Sequence, residues 1–143
     1  MANIVELREM SDDKLEEMLE NAREELFNLR FRQASARLED YSRLKHVRRE
    51  IAQLETVLGM RHLAIEAAAA QPEVAQTLAG KYWEAIARFR YQDSAWQVEF
   101  VDESGNELAS AMVDLNKKQS GKFKKRRVDP ASLVTSHEVA GSS

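Results

Sequence analysis

Apolar residues recur at three- and four-residue steps twice in the first half of this chain. Leu15, Met18, Leu19, Ala22, Leu26 and Leu29 form one stripe and predict a helix over residues 11–35. Ser11 is placed to cap its start, and Asp12 and Asp13 follow in the first turn, where the helix dipole favours negative charge. Lys14 stands where a full capping box has Glu or Gln. Leu44, Val47, Ile51, Leu54 and Leu58 step by 3, 4, 3 and 4. That coiled-coil-like seam predicts a second helix over 42–66, capped by Asp40 or Ser42. Gly59 is a mild interruption, costing about 1 kcal/mol relative to Ala. The run Ala67–Ala70 carries the helix on to Gln71-Pro72, where proline restricts the residue before it. The link between the stripes, 36–41, is short, and a short link makes the helices antiparallel neighbours. The reading is a mainly α fold, with an antiparallel two-helix hairpin of long helices over 1–70. One seam in about 60 residues buries little surface, so the hairpin is expected to need a partner for full order.

The second half mixes two periods. Pro72 to Ala87 fits a helix with Val74, Leu78, Tyr82, Ala85 and Ile86 on one side, but from Ala85 the pattern also fits strands. Trp96-Gln97-Val98-Glu99-Phe100 alternates strictly, as half-buried strands do. Ser104-Gly105-Asn106 is a turn signal, and Leu108 to Leu115 follows it. A hairpin at 95–115 with a third strand at 85–91 is expected, within a small α+β extension over 71–115. Residues 116–143 are polar, contain Gly and Ser and have almost no aromatic residues, so this basic tail is expected to be disordered.

Charge changes the picture through its distribution. The formal net charge is −3, which taken alone argues against a polyanionic partner. Residues 26–49, however, hold seven basic residues and two acidic ones, and residues 117–127 hold seven basic and none acidic. Residues 1–25 hold three basic and nine acidic, and residues 50–116 hold four basic and eleven acidic. Two cationic patches thus sit in an anionic chain.

Folding the two helices back around residue 39 would bring Arg30 and Arg32 to the same end as Arg43, Lys45, Arg48 and Arg49. Each lies within roughly 15 Å of the turn along its helix. That pole suits a phosphate backbone, which releases counterions when bound. Over residues 26–49, Arg37 included, arginine outnumbers lysine six to one. Its planar fork fits phosphate and stacks on bases. Gln33 and His46 add hydrogen-bonding groups. Phe27 and Phe31 are either hairpin core or a wedge into a partner. The competing reading is a solvated charged face, with Arg43 partly spent on Glu39 and Arg49 on Glu50.

Other chemistry finds no footing in the sequence. There is no cysteine, hence no thiolate metal site or disulfide framework. His46, His62 and His137 lack ligand spacing, so no metal or cofactor is expected. No Gly-rich phosphate loop or nucleophile elbow occurs, and a two-helix rod offers no cleft for paired carboxylates or a small-molecule substrate. An enzyme is not expected. Trp83 and Trp96 read as core of the extension rather than a stacking platform. The start lacks a basic n-region and apolar run, and no apolar stretch approaches the roughly 20 residues of a membrane span. A cytoplasmic location is expected.

Three blocks carry a family resemblance. Leu26-Phe27-Asn28-Leu29-Arg30-Phe31-Arg32-Gln33-Ala34, Leu44-Lys45-His46-Val47-Arg48-Arg49-Glu50-Ile51-Ala52-Gln53-Leu54 and the opening Glu6-Leu7-Arg8-Glu9-Met10-Ser11 resemble the bacterial large-subunit ribosomal protein twenty-nine family, in order and in register over residues 1–60. The resemblance implies a helical hairpin near the exit of the nascent-chain tunnel. It implies contact with large-subunit ribosomal RNA and closeness to the neighbouring tunnel-exit protein, number twenty-three; nascent-chain factors are a further expected partner, for the extension. RNA contact would fall to Arg30, Arg32, Gln33, Arg43, Arg48 and Arg49, with Lys45, His46 and Arg37 beside them. Family members often carry Thr-Gly in the link, where this chain has Ser35-Ala36, so the presentation of Arg37 depends on a different helix stop. Members usually end near residue 65, and residues 70–143 have no counterpart. The acidic body of the extension should face solvent or a protein, as a docking knob, while the basic run 117–127 could reach RNA. The alternative from another class is a coiled-coil adaptor that binds a protein through its seam and ignores RNA.

Overall fold

A computed structural model describes residues 3–116 and 133–139. Four helices, α1 (Ile4–Glu9), α2 (Asp12–Ala34), α3 (Ser42–Ala70) and α4 (Pro72–Leu78), precede four strands. The strands are β1 (Glu84–Arg90), β2 (Ala95–Val101), β3 (Glu107–Val113) and β4 (Val134–Val139). The chain divides into two compact units, Met1–Gly59 and Met60–Ser143. Among the described residues no helix is long and apolar enough to cross a membrane.

The first unit is built on the two predicted stripes. Leu15, Leu19, Ala22 and Leu29 of α2 are buried together with Leu44, Val47, Leu54 and Val57 of α3. Met18, Leu26, Ile51 and Leu58 complete the seam from half-buried positions. Two ion pairs tie the helices. Arg23 Nη2 donates to Glu55 Oε1 at 2.9 Å, and Arg43 Nε donates to Glu25 Oε1 at 2.6 Å. Both pairs are solvent-exposed and contribute little next to the seam. Ser11 accepts from the Lys14 N–H, as its position predicts.

One helix of this unit escapes the periodicity argument. α1 is too short to show a stripe, yet its Leu7 is only 2% exposed in the same core. Its legible signal was the pair Asn3 and Glu6. The Asn3 side chain accepts from the Glu6 N–H, and the Glu6 carboxylate accepts from the Asn3 N–H, which is a complete capping box.

The link resolves the absence of glycine. Ala36 itself takes the left-handed conformation, with φ 56°. The Arg37 N–H reaches the Arg32 carbonyl at 2.8 Å and the Ala36 N–H reaches the Gln33 carbonyl at 3.1 Å. These two bonds make a Schellman stop on α2, formed here against the Cβ of an alanine. Leu38 then packs back on the seam. At the far side of the link Asp40 accepts from the Ser42 N–H at 3.0 Å and from its hydroxyl, starting α3.

The second unit is a four-stranded antiparallel meander in the order β1-β2-β3-β4. Trp96, Val98 and Phe100 of β2 and Ala109, Ala111 and Val113 of β3 are buried on one face. Ala64, Ala67 and Ala68 of α3, with Val74 and Leu78 of α4, belong to the same core. Of the two helices it is α4 whose backbone comes close to the sheet, against β3 and β4. Trp96 is 2% exposed and meets Phe89 edge-on at 5.3 Å, and Trp83 meets Phe100 edge-on at 5.3 Å. Trp96 thus belongs to the extension's core as expected, whereas Trp83, at 38% exposure, lies at the surface and touches that core only through Phe100.

The turn between β2 and β3 is as expected: Gly105 takes φ 84°, and Asp102 accepts from the Ser104 and Asn106 N–H groups. Two expectations give way. The helix expected from Pro72 to Ala87 ends at Leu78, because Gly80 takes φ 72° and the chain leaves as a strand at Glu84. The structureless tail expected from 116 is interrupted at Val134–Val139, which pairs with β3 as β4. Val134 and Val139 pack on the core, and His137 Nε2 lies 2.6 Å from Glu73 Oε2 of α4. Composition averages these few apolar positions away. The basic run 117–127 lies outside the described residues.

Two opposite exchanges should each stabilise the protein by about 1 kcal/mol. Ala36→Gly removes the Cβ from a left-handed position. Gly59→Ala restores helix propensity where an added Cβ meets nothing within 4 Å. Thermal unfolding should show upward midpoint shifts of a few degrees for both variants. A downward shift for Ala36→Gly would contradict the strained stop.

Candidate nucleic-acid interface

The nine candidate residues fall on three consecutive pieces of the first unit. Arg30, Arg32 and Gln33 occupy the last turns of α2, Arg37 sits in the link, and Arg43, Lys45, His46, Arg48 and Arg49 occupy the first turns of α3. All nine are exposed. The reason is the stripe itself. Leu29, Leu44 and Val47 turn inward, so the intervening positions of each helix must turn outward. Arg48 and Arg49 lie about 10 Å along α3 from its start, at 1.5 Å per residue.

The structure brings part of the set into one concavity. Arg32, Arg37 and Arg43 line an open cleft of about 650 Å³ together with Phe31, Leu38, Glu39 and Asp40. Arg30, Gln33, Lys45, His46, Arg48 and Arg49 do not line it and present their charge and polar groups outside it. Among the described residues no ion pair is made by Arg30, Arg32, Arg37, Lys45, Arg48 or Arg49.

Arg43 differs from the rest. The sequence places Glu39 one turn before it, but the guanidinium pairs across the helices with Glu25 at 2.6 Å. The hydrogen bond from Arg43 to Glu25 and then the Glu25 charge push Arg43 above its ordinary pKa, so it stays a cation tied to the protein's own carboxylate. Its share in holding an external anion is correspondingly reduced.

Asp40 is likewise committed. The Ser42 hydroxyl, then the Ser42 backbone N–H, hold its carboxyl below the ordinary value, with the His46 charge adding to the effect. Its negative charge is turned toward the start of α3. Phe27 and Phe31 settle their alternative. They are 70% and 67% exposed and form no part of the seam.

Among the described residues no group of three or more His, Cys, Asp or Glu side chains is arranged to hold a metal ion. Exposed cations and two exposed phenyl rings thus surround the link between α2 and α3, and comparison with known proteins names the family that carries such a hairpin. The family model described as ribosomal L29 protein matches residues 5–61. The large ribosomal subunit protein uL29 of Streptomyces griseus is 51% identical over 61 residues, covering 43% of this chain and 82% of that protein. Proteins of the same name from Mycobacterium sp. strain KMS and Mycolicibacterium smegmatis are 50% and 47% identical over 68 residues, each covering 48% of this chain and 88% of theirs. No solved structure matches the chain. This chain belongs to the ribosomal L29 protein family.

The Asp40 cap has a pH signature. A carboxyl held below its ordinary value stabilises the fold while ionised. The contribution is therefore complete above the unfolded pKa, near 3.9 for aspartate, and is lost as pH falls through the lower folded value. Helicity followed by circular dichroism on acidification should fall over that window. Asp40→Ala should remove that part of the acid limb and lower helicity at neutral pH. An unchanged acid limb in the variant would show that the cap carries no linkage.

Proposed function

We propose that residues 30–49 bind ribosomal RNA of the large subunit near the nascent-chain tunnel exit, within a structural, non-enzymatic constituent of that subunit. The relatives are large-subunit ribosomal proteins by name, so this chain works in translation, on the cytoplasmic ribosome. The observation that carries the RNA contact is the convergence of Arg30, Arg32, Arg37, Arg48 and Arg49 around one link, all exposed and without an ion pair to a described residue. A phosphate backbone fits such an array, because each neutralised phosphate releases counterions. Gln33, Lys45 and His46 supply further donors on the same turns, and Arg43 is taken up by its pair with Glu25.

Tunnel-exit protein twenty-three is the protein partner that the family resemblance supports, and nascent-chain factors are a candidate partner for the second unit. The excess of acidic residues over 50–116 would be repelled by RNA, which supports a protein-facing role for the second unit. The adaptor reading loses its main feature. Leu44, Val47 and Leu54, the seam an adaptor would offer to a partner helix, are already buried in the chain's own core.

Reversing Arg48 and Arg49 to Glu tests the RNA contact. Both side chains are exposed, so helicity should be unchanged, while co-sedimentation with the large subunit should be lost. Affinity for ribosomal RNA should become less salt-dependent, by roughly one unit of slope for each phosphate contact removed. Normal incorporation of the double variant would count against the proposal.

A further inference from the structure

Phosphate contacts do not explain the phenyl rings. Phe27 and Phe31 stand four residues apart, on one face of α2, at 70% and 67% exposure. One exposed apolar side chain is ordinary. Two on the same face, beside an arginine-lined cleft, point to a ligand with both a negative charge and a flat apolar surface. Phe31 is itself part of the lining, together with Arg32, Arg37 and Arg43.

We infer that this cleft takes one unpaired RNA nucleotide, its base stacked on Phe31 and its flanking phosphates held by Arg32 and Arg37. The inference rests on the RNA-binding reading of the same end and names the RNA feature recognised there. A paired A-form helix presents phosphates and hydroxyls, but its base faces are covered by their neighbours, so a phenyl ring gains nothing from it. A bulged or looped-out base exposes that face. Base-aromatic stacking is tolerant of sequence because every base has a π-face. Arginine is also the cation that stacks on bases.

The electrostatics of the lining agree with this. Three guanidiniums face two carboxylates. Asp40 is turned to Ser42, and Arg43 is taken by Glu25. Arg32 and Arg37 are left as the cations for phosphate, and Glu39 remains as an acceptor for an amino group on the base. The cleft's 650 Å³ lies within the range of sites for small organic ligands. Phe27, one turn away, extends the same face toward a neighbouring nucleotide.

The test uses the full chain and two short RNA duplexes, one fully paired and one carrying a single bulged aminopurine nucleotide that reports stacking by fluorescence. The bulged RNA should bind roughly tenfold more tightly, with quenched fluorescence in the complex. Phe31→Leu should abolish both the preference and the quenching while leaving affinity for the paired duplex and the helicity unchanged, and Phe31→Tyr should keep the preference. Equal, salt-dependent binding of both RNAs would overturn the nucleotide site and leave the phosphate-binding reading standing. Binding of neither would overturn both. A Phe31→Leu variant that keeps the bulge preference but seats poorly on the large subunit would assign the ring to a protein neighbour and overturn the inference.

Discussion

The seam between α2 and α3 is the constraint on which the proposed activity depends. Leucines and valines spaced by three and four residues leave each helix one face to hide, and within the first unit the two faces hide each other. That single act of burial turns the chain back on itself at residues 35–41. It brings the end of α2 to the start of α3 and forces the arginines between the apolar positions outward. No attraction among the cations is needed to gather them. Hydrophobic burial works against their mutual repulsion, and the result is a concentrated positive end on a chain of net charge −3.

Within that end the cations are not equivalent. Arg43 pairs across the helices with Glu25 at an exposed position, whereas its neighbours Arg48 and Arg49 have no such partner among the described residues. Sequence proximity would have paired Arg43 with Glu39 on its own side. The cross-helix carboxylate wins because the seam holds it at 2.6 Å. The helix stop is shaped by the same seam. Ala36 accepts a left-handed backbone that costs it steric energy, since Leu38 beyond it must return to the core. A local penalty of about 1 kcal/mol is tolerated where a larger burial requires it.

The second unit follows a different logic around a core of its own. Small residues of α3, Ala64, Ala67 and Ala68, share that core with Trp96, Val98 and Phe100 of the sheet. The strand Val134–Val139 completes the meander from far along the chain, held by its ladder with β3 and by the contact of His137 with Glu73. An acidic α+β body of this kind has no counterpart in the matched family region, which ends at residue 61.

Periodicity determined the two long helices and their shared face, alternation and a turn signal the β2–β3 hairpin, and the uneven spread of charge the candidate arginines, because each is a local pattern in the chain. The family likeness is equally local, since it resides in three short blocks of residues held in register. Tertiary structure alone decided the rest. It placed Leu7 of the short α1 in the core and exposed Phe27 and Phe31. It paired Arg43 with Glu25, and it recruited residues 134–139 into the sheet. Each of these depends on which surfaces meet across long stretches of sequence. A short or mixed segment carries too little periodicity to announce its side, so its fate is set by the partner that packing supplies.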